Sequence, residues 1–442
     1  MICDEVRGYI DNIKVRGSIL GLTSIKMLLD ELGNPQDKIK IVHVAGTNAK
    51  GSVSAYIESI CQTSGYKVGL FASPAVFDYY EAYRINGQNI SKEEYASVGS
   101  KVIEAVKQVN DKDIWPTSFE IETAIAYQYF YDKNVDIAII ETGMGGSLDA
   151  TNVTKSTLVS VITPISIDHS AFLGDTIDAI AHAKAGIIKK DSVVTCALDQ
   201  REEAVNVIKK TAYDNNANVI IPDIKDIVHN EDGTFDYKDI SGIRLKMYGK
   251  KQIENAVLAI ETVRVLKEKY YYKQIDEELI KTGLFNMILP GRIEKIGTQP
   301  DIIIDGAHNP AAAQALRDYV KEEYKDRDVI LLTGMFKDKD YTKVANIMSE
   351  VSNKVITVTP PTERGLDSEK LQKVYRKIFS ALKADDGTKR FIDNNSNDDM
   401  TVTLSYGYDY DKAFAMAKRL AGTNGAVIVF GSFSFLAQIK RK

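Results

Sequence analysis

The chain has 442 residues, more than one comfortable core holds, and at roughly 100–200 residues per domain it is expected to fold as two or three. Its 56 basic and 61 acidic side chains leave a net charge of −5, without the basic excess that holds proteins on nucleic acid or anionic lipid by counterion release. Three cysteines, far apart and odd in number, argue against a disulfide framework, and neither a signal-length nor a membrane-length apolar run is seen, so a cytoplasmic protein with a small-molecule partner is expected.

Ile25, Leu28, Leu29 and Leu32 recur at helical spacing and stop at Gly33, which predicts an amphipathic helix. The stretch from Ile39 to Ser52 then runs from an apolar strand into the small-residue loop Ala45-Gly46-Thr47-Asn48-Ala49 and opens a helix to about Ser64. Such a loop turns backbone N–H groups and a helix N-terminus toward one point, where they stabilise phosphate oxygens, and Lys50 adds a full positive charge. The strict phosphate-loop pattern is not met, because Val44 and Ala49 fill both glycine positions counted back from Lys50. Alone, the loop fits an ordinary strand-to-helix turn as well as a nucleotide site.

A short strand Lys67–Phe71 leads through Ala72-Ser73-Pro74 into a long tyrosine-rich segment to Ile90, expected to be an irregular functional loop. Ser91 and Glu94 form a capping box for the next helix, and a further helix is expected over Ser118–Asp132, with Phe119, Glu120 and Glu122 in its first turn. The apolar run Val135–Ile140 suits a strand covered on both faces, and ends in Glu141-Thr142-Gly143-Met144-Gly145-Gly146. In open parallel sheets ligands bind beyond the strands' C-terminal ends, so Glu141 should share a rim with Lys50, where a carboxylate suits Mg²⁺ held against phosphates. The glycines do not make a dinucleotide fingerprint, since the residues after them are loop-like rather than an apolar helix. Strand Leu158–Ile162 is followed by the polar pair Asp168-His169 and by a helix from about Thr176. That helix carries Lys184 among alanines and isoleucines, where burial would lower its pKa and snorkelling to solvent would not.

Residues 193–250 alternate strand, charged helix, strand and a hairpin-like region around Asp232-Gly233, and Gly249 opens a helix to about Tyr270 that holds Asn255. Leu289-Pro290-Gly291-Arg292 breaks the pattern, which sets the domains at 1–294 and 295–442 and puts Arg292 at the cleft between them. The buried run Asp301–Ile304 ends in Asp305-Gly306-Ala307-His308-Asn309-Pro310, with Asp305 and His308 at the ligand-facing end, Asn309 as N-cap and Pro310 first in the helix. Alternation continues to a final strand Ala426–Phe430, and Asp385–Asp399 is polar enough for a mobile loop.

In their order and spacing these stretches resemble the folylpolyglutamate synthase and dihydrofolate synthase family of the Mur ligase superfamily, over essentially the whole chain. The family's loop, Gly-Thr-Asn-Gly-Lys-Gly-Ser, is matched by Gly46–Ser52 except at Ala49. Ser73-Pro74, Phe119-Glu120, Glu141–Gly146, Leu148–Asn152, Asp168-His169, Lys184–Ile187, Pro290–Arg292 and Asp305–Pro310 follow in the family order. The fold implied is α/β, a phosphate-loop NTPase-like N-terminal domain with a smaller Rossmann-like C-terminal domain.

By that resemblance Asn48, Ala49, Lys50, Gly51 and Ser52 would cradle ATP phosphates, with Asn255, Arg292, Asp305 and His308 as further nucleotide contacts. Ser73 and Glu141 would bind one Mg²⁺ and His169 a second, and Lys184 matches the lysine that is carbamylated in this family. Lys50, Lys184 and His169 would be the catalytic set. Phe119, Glu120, Gly146, Leu148, Asp149 and Ala150 match the pterin-side pocket. The implied reaction is ATP-dependent addition of L-glutamate to reduced folates, and to dihydropteroate, through an acyl phosphate, in a monomeric enzyme. Three positions depart from the family pattern: Ala49 for glycine, Ser147 for the arginine of many relatives, and Ala183 for the glutamate that commonly precedes the lysine. Two rivals are a Mur-type ligase for a nucleotide-sugar peptide precursor, disfavoured by the roughly forty residues before the loop, and a nucleotide-binding regulator without turnover.

Overall fold

The computed structural model describes residues 1–14, 21–75, 77–168, 170–247, 249–287, 289–385 and 401–440. The chain divides into two compact units, Met1–Lys246 with Gln252–Ile288, and Met247–Lys251 with Leu289–Lys442.

In the first unit the described residues form an eight-stranded sheet from β1 (Ile41–Ala45), β2 (Val68–Phe71), β3 (Tyr83–Ile85), β4 (Gln88–Asn89), β5 (Ile137–Glu141), β6 (Val159–Ile162), β7 (Val193–Cys196) and β8 (Asn218–Ile220). Their order is β4-β3-β2-β5-β1-β6-β7-β8, with only β3 and β4 antiparallel to their neighbours. Every residue of β1 and β5 is buried, as continuous apolar runs in a sheet covered on both faces require. The chain leaves β1 toward β2, returns through β5 and crosses to β6, so the order reverses at β1. That reversal opens a crevice beyond the C-terminal ends of β5, β1 and β6.

Helices cover the sheet because their apolar stripes face it. Val6, Ile25, Leu28, Val102, Ile125 and Phe130 join Ile140 of β5 in one core, and Ile180, Ile187 and Ile208 join Ile162 and Val194 in another. The helix Ser118–Asp132 starts at a capping box between Thr117 and Glu120, and Lys92–Asn110 at the box of Ser91 and Glu94.

The tyrosine-rich segment differs from expectation. It holds a 3₁₀ turn, Tyr79–Ala82, fixed by a capping box of Asp78 and Glu81, and the β3–β4 hairpin. Asn86 and Gly87 turn that hairpin with φ of 50° and 72°, the left-handed pair that matches strand twist. The region around Asp232-Gly233 is the turn of a three-stranded antiparallel sheet, β9 (Ile227–His229), β10 (Phe235–Tyr237) and β11 (Ile240–Ile243).

In the second unit β12 (Glu294–Gly297), β13 (Asp301–Asp305), β14 (Val329–Gly334), β15 (Lys354–Thr357), β16 (Val402–Ser405) and β17 (Ala426–Gly431) form a sheet of order β12-β13-β17-β14-β15-β16, parallel except for β12. This is the smaller Rossmann-like domain. Asn309 caps the helix Pro310–Glu323 through a bond from the Ala312 N–H at 2.9 Å, with Pro310 in its first turn. Sequence patterning did not reveal β12, β16 or the helices Tyr341–Met348 and Phe433–Lys440. Apart from Asp385, the polar segment 385–399 lies outside the described residues. Cys3, Cys61 and Cys196 are free thiols, and no helix among the described residues is long and apolar enough to cross a membrane.

Candidate active site

Strand β1 delivers its loop directly into the crevice. Gly46 starts the turn against β6, where a Cβ would fall 1.8 Å from Thr163 Oγ1, so only glycine fits. The Thr47 and Asn48 N–H groups both donate to the Pro164 carbonyl, at 3.0 and 3.2 Å. The Thr163 hydroxyl donates to the Asn48 carbonyl at 2.7 Å, and the Thr47 hydroxyl to the Ser166 carbonyl at 3.0 Å. Gln200 braces the partner segment, donating to the Thr163 carbonyl and accepting from the Ile165 N–H, both at 2.9 Å.

Ala49 then takes a left-handed conformation, φ 64° and ψ 2°, as N-cap of the helix Lys50–Thr63, and no side chain caps that helix. The family's glycine position is thus a place where glycine is conformationally favoured, and alanine occupies it under strain of about 1–2 kcal/mol. The first-turn N–H groups of Lys50, Gly51 and Ser52 have no partners within the helix, and they give this end its positive potential.

Two lysines meet at this turn. Lys50 Nζ donates to the Gly46 carbonyl at 3.2 Å and lies 4.0 Å from Glu141 Oε1 at the end of β5. Lys184, near the end of the helix Ile177–Ala185, donates to the same carbonyl at 2.7 Å. Lys184 is only 4% exposed, so the snorkelling alternative fails. Burial, and then the nearby Lys50 charge, bring its pKa down to about 7 against the opposing pull of Asp168 and Asp149.

The loop after β5 packs on the end of the Lys184 helix. A Cβ on Gly146 would lie 2.7 Å from the Ala183 carbonyl oxygen and 2.8 Å from that of Lys184, and the Ser147 N–H donates to Ala183 at 2.7 Å. Asn152 ties the same parts together, donating to the carbonyls of Ser147 and Gly186 at 3.2 and 3.0 Å.

Ser73 follows β2, whose Phe71 pairs with Ile140, so Ser73 and Glu141 leave adjacent strands on one rim. Among the described residues no three His, Cys, Asp or Glu side chains form a metal cage, and His169 lies outside the described residues. Phe119 stacks on Phe71 at 6.1 Å, and a Cβ on Gly143 would strike its ring. Both oxygens of Glu120 accept backbone N–H groups, from Thr117 at 2.7 Å and Ile25 at 3.1 Å, and its carboxyl is held above the ordinary range by burial. Asp149 and Ala150 are buried, whereas Leu148 is 49% exposed on the same loop. Asn255 is buried in the helix Lys250–Tyr270, its amide donating to Gln252 Oε1 at 3.3 Å.

In the second unit, Arg292, Asp305 and His308 gather at the ends of β13 and β17. The Arg292 guanidinium sits 4.7 Å over the Phe433 ring. Gly306 lies so close beneath that a Cβ there would be 2.3 Å from the Phe433 ring and 2.7 Å from Arg292 Nη1. Asp305 accepts the Ile293 N–H at 2.9 Å, and burial raises its pKa although Arg292 pulls it down. His308 Nδ1 lies 2.8 Å from the Gly306 carbonyl.

Sequence reasoning passed over Thr163, Ser166 and Gln200, and the Phe433 platform. The available signal was position: Thr163 follows β6 and Phe433 follows β17, each beside a strand whose end was already singled out.

Residues 44–263 match the Mur ligase middle domain, and residues 291–433 match the Mur ligase glutamate ligase domain. A Bacillus subtilis (strain 168) protein named dihydrofolate synthase/folylpolyglutamate synthase is 31% identical over 449 residues, spanning 99% of this chain and 98% of that protein. The structure of Mycobacterium tuberculosis folylpolyglutamate synthase complexed with ADP superposes with a TM-score of 0.85 at 27% identity, covering 99% of this chain and 98% of that one. A bifunctional folylpolyglutamate synthase/dihydrofolate synthase with Mn, AMPPNP and L-glutamate bound superposes with a TM-score of 0.82 at 26% identity, covering 100% and 98%.

Proposed function

Because the chain belongs to the folylpolyglutamate synthase/dihydrofolate synthase family of Mur ligases, we propose that it joins L-glutamate to the carboxylate of a reduced folate, with dihydropteroate as a second substrate, at the expense of ATP. The observation that carries this reading is the meeting of Lys50, Lys184 and Glu141 around the Gly46 turn.

ATP and a substrate carboxylate are both anionic and repel unless positive charge stands between them. Lys50 and the uncapped first turn of its helix supply that charge where the phosphates would lie. A carboxylate oxygen would attack the γ-phosphorus and release ADP. The glutamate amine would then attack the acyl carbon, losing a proton as phosphate leaves.

Glu141 and the Ser73 hydroxyl are the hard oxygen donors on this rim, a set that suits Mg²⁺ completed by phosphates and water. Such an ion would neutralise phosphate charge as it develops. A relative's structure with Mn and AMPPNP supports a divalent cation here, and we assign a second cation to the region of His169. Lys184 is the proposed carbamylation site: its neutral amine would add CO₂ and release one proton, turning an uncharged group into an anion. Its low proton affinity supports that step.

For the second unit we propose nucleotide contact through Arg292, Asp305 and His308; in the first unit Asn255 is a further proposed nucleotide contact. Phe119 and the Gly146–Ala150 loop are the proposed pterin wall, where exposed Leu148 offers apolar surface.

The test supplies purified protein with ATP, Mg²⁺, labelled glutamate and either tetrahydrofolate or dihydropteroate. Label in a folate product is expected. Bound ATP with no label in either product would replace the ligase with a nucleotide-binding regulator.

A further inference from the structure

His43 is the one polar residue of the otherwise apolar strand β1, and it is fully buried. Its Nε2 lies 2.8 Å from the Thr151 hydroxyl, which itself donates to Asp149 Oδ1 at 2.6 Å. A hydroxyl has one proton, and Asp149 takes it, so the His43–Thr151 bond exists only if Nε2 carries the hydrogen and donates. Nδ1 is then bare, and it has no hydrogen-bond partner among the described residues. Burial, reinforced by Lys189, lowers the imidazole pKa to about 3, so the ring stays neutral in ordinary buffers.

The far end of this relay grips the loop after β5. Asp149 Oδ2 accepts the Met144 N–H at 2.7 Å, and Oδ1 also accepts the Thr151 N–H at 3.0 Å. Tyr127 fixes the middle, donating to the Thr151 carbonyl at 2.6 Å. With both its oxygens engaged, Asp149 anchors the loop from within.

We propose that His43 is a positioning residue: as the Nε2-protonated tautomer it fixes, through the Thr151 hydroxyl and the Asp149 carboxylate, the Gly143–Gly146 turn that follows Glu141. The inference rests on the reading of that rim as the catalytic site. Strand β1 thereby sets two loops at once, its own phosphate loop through the backbone and the neighbouring one through a side chain.

The full chain labelled with ¹⁵N-histidine, whose five histidines give few signals, is read by NMR from about pH 5 to about pH 8. His43 is expected to show a protonated Nε2 and a bare Nδ1 throughout. A protonated Nδ1, or titration within that range, overturns the proposal.

Kinetics supply the second arm. His43→Gln places an amide N–H near the Nε2 position and is expected to keep kcat, whereas His43→Leu is expected to lose roughly tenfold to a hundredfold in kcat with KM for ATP changed less than about twofold. Thr151→Val should lose a similar factor, and the double variant no more than the larger single loss. Wild-type kcat in His43→Leu, or losses that multiply, would overturn the relay. If the wild-type chain makes no glutamyl product at all, the functional reading falls while the NMR result still decides the tautomer.

Discussion

Lys50 and Lys184 converge on a single atom, the Gly46 carbonyl oxygen, at 3.2 and 2.7 Å. Two ammonium groups so near each other repel, and at deeply buried Lys184 that repulsion adds to burial in loosening the proton. Lys50 stands on the more open side, facing Glu141.

Lys50→Ala removes the ammonium that faces Glu141 and the Gly46 carbonyl without emptying a core position. Turnover is expected to fall at least about a hundredfold, while the melting temperature shifts by no more than about 4 °C. Steady-state kinetics and a thermal scan check both parts, and normal turnover would remove Lys50 from the phosphate site.

The Lys184 proton makes stability depend on pH in a stated direction. An unfolded chain keeps that proton up to about 10.5, whereas the folded protein releases it near about 7. Between those values the unfolded state binds more protons, so stability rises with pH across the window, and below about 7 the full cost of a buried cation is present. The rise is expected to amount to a few kcal/mol. Urea midpoints taken in CO₂-free buffer should climb more steeply from neutral toward alkaline pH in the wild type than in Lys184→Met, where buried Lys189, its own pKa down to about 8, still contributes; equal slopes would contradict the assignment.

Ala49→Gly tests the strained entry to the proposed phosphate loop. Relief of the left-handed alanine is worth about 1–2 kcal/mol, and the extra freedom of glycine in the unfolded chain takes back about 0.4–1 kcal/mol. A net gain of about 0.5–1 kcal/mol is expected, with turnover at or above that of the wild type. Chemical denaturation measures the first, and a loss of stability would mean that the loop relaxes otherwise in solution.

Glu141→Ala deletes the carboxylate proposed to hold the cation. The Mg²⁺ concentration for half-maximal turnover is expected to rise by at least about tenfold, and chelation should abolish activity in the wild type. An unchanged Mg²⁺ requirement would move the cation elsewhere.

Much of the fold was legible where local chemistry and tertiary structure agree. The helix Ser118–Asp132 has the bounds expected from the sequence, the helix Lys92–Asn110 starts at its Ser91–Glu94 capping box, and Asn309-Pro310 marks the start of its own helix as plainly. The edge strands β12 and β16 escaped because half-exposed strands carry no continuous apolar run. The β3–β4 hairpin escaped although Asn86-Gly87 announced it, its strands being only three and two residues long. On the rim, Lys50 and Glu141 could be placed together by the rule that ligands gather beyond strand ends. The bond from Lys184 to Gly46 could not, since 138 residues separate them and only packing brings them together. The His43 relay was hidden for the same reason, as a histidine inside an apolar strand names no partner.

The helix Lys50–Thr63 lacks a side-chain cap of its own. Phosphate oxygens arriving there would therefore complete a piece of secondary structure as well as occupy a pocket, and nucleotide would act as a folding cofactor for the segment that binds it. Amide exchange at Lys50, Gly51 and Ser52 should slow on adding ATP before any product forms, so that this helix end is firmer when loaded than when empty.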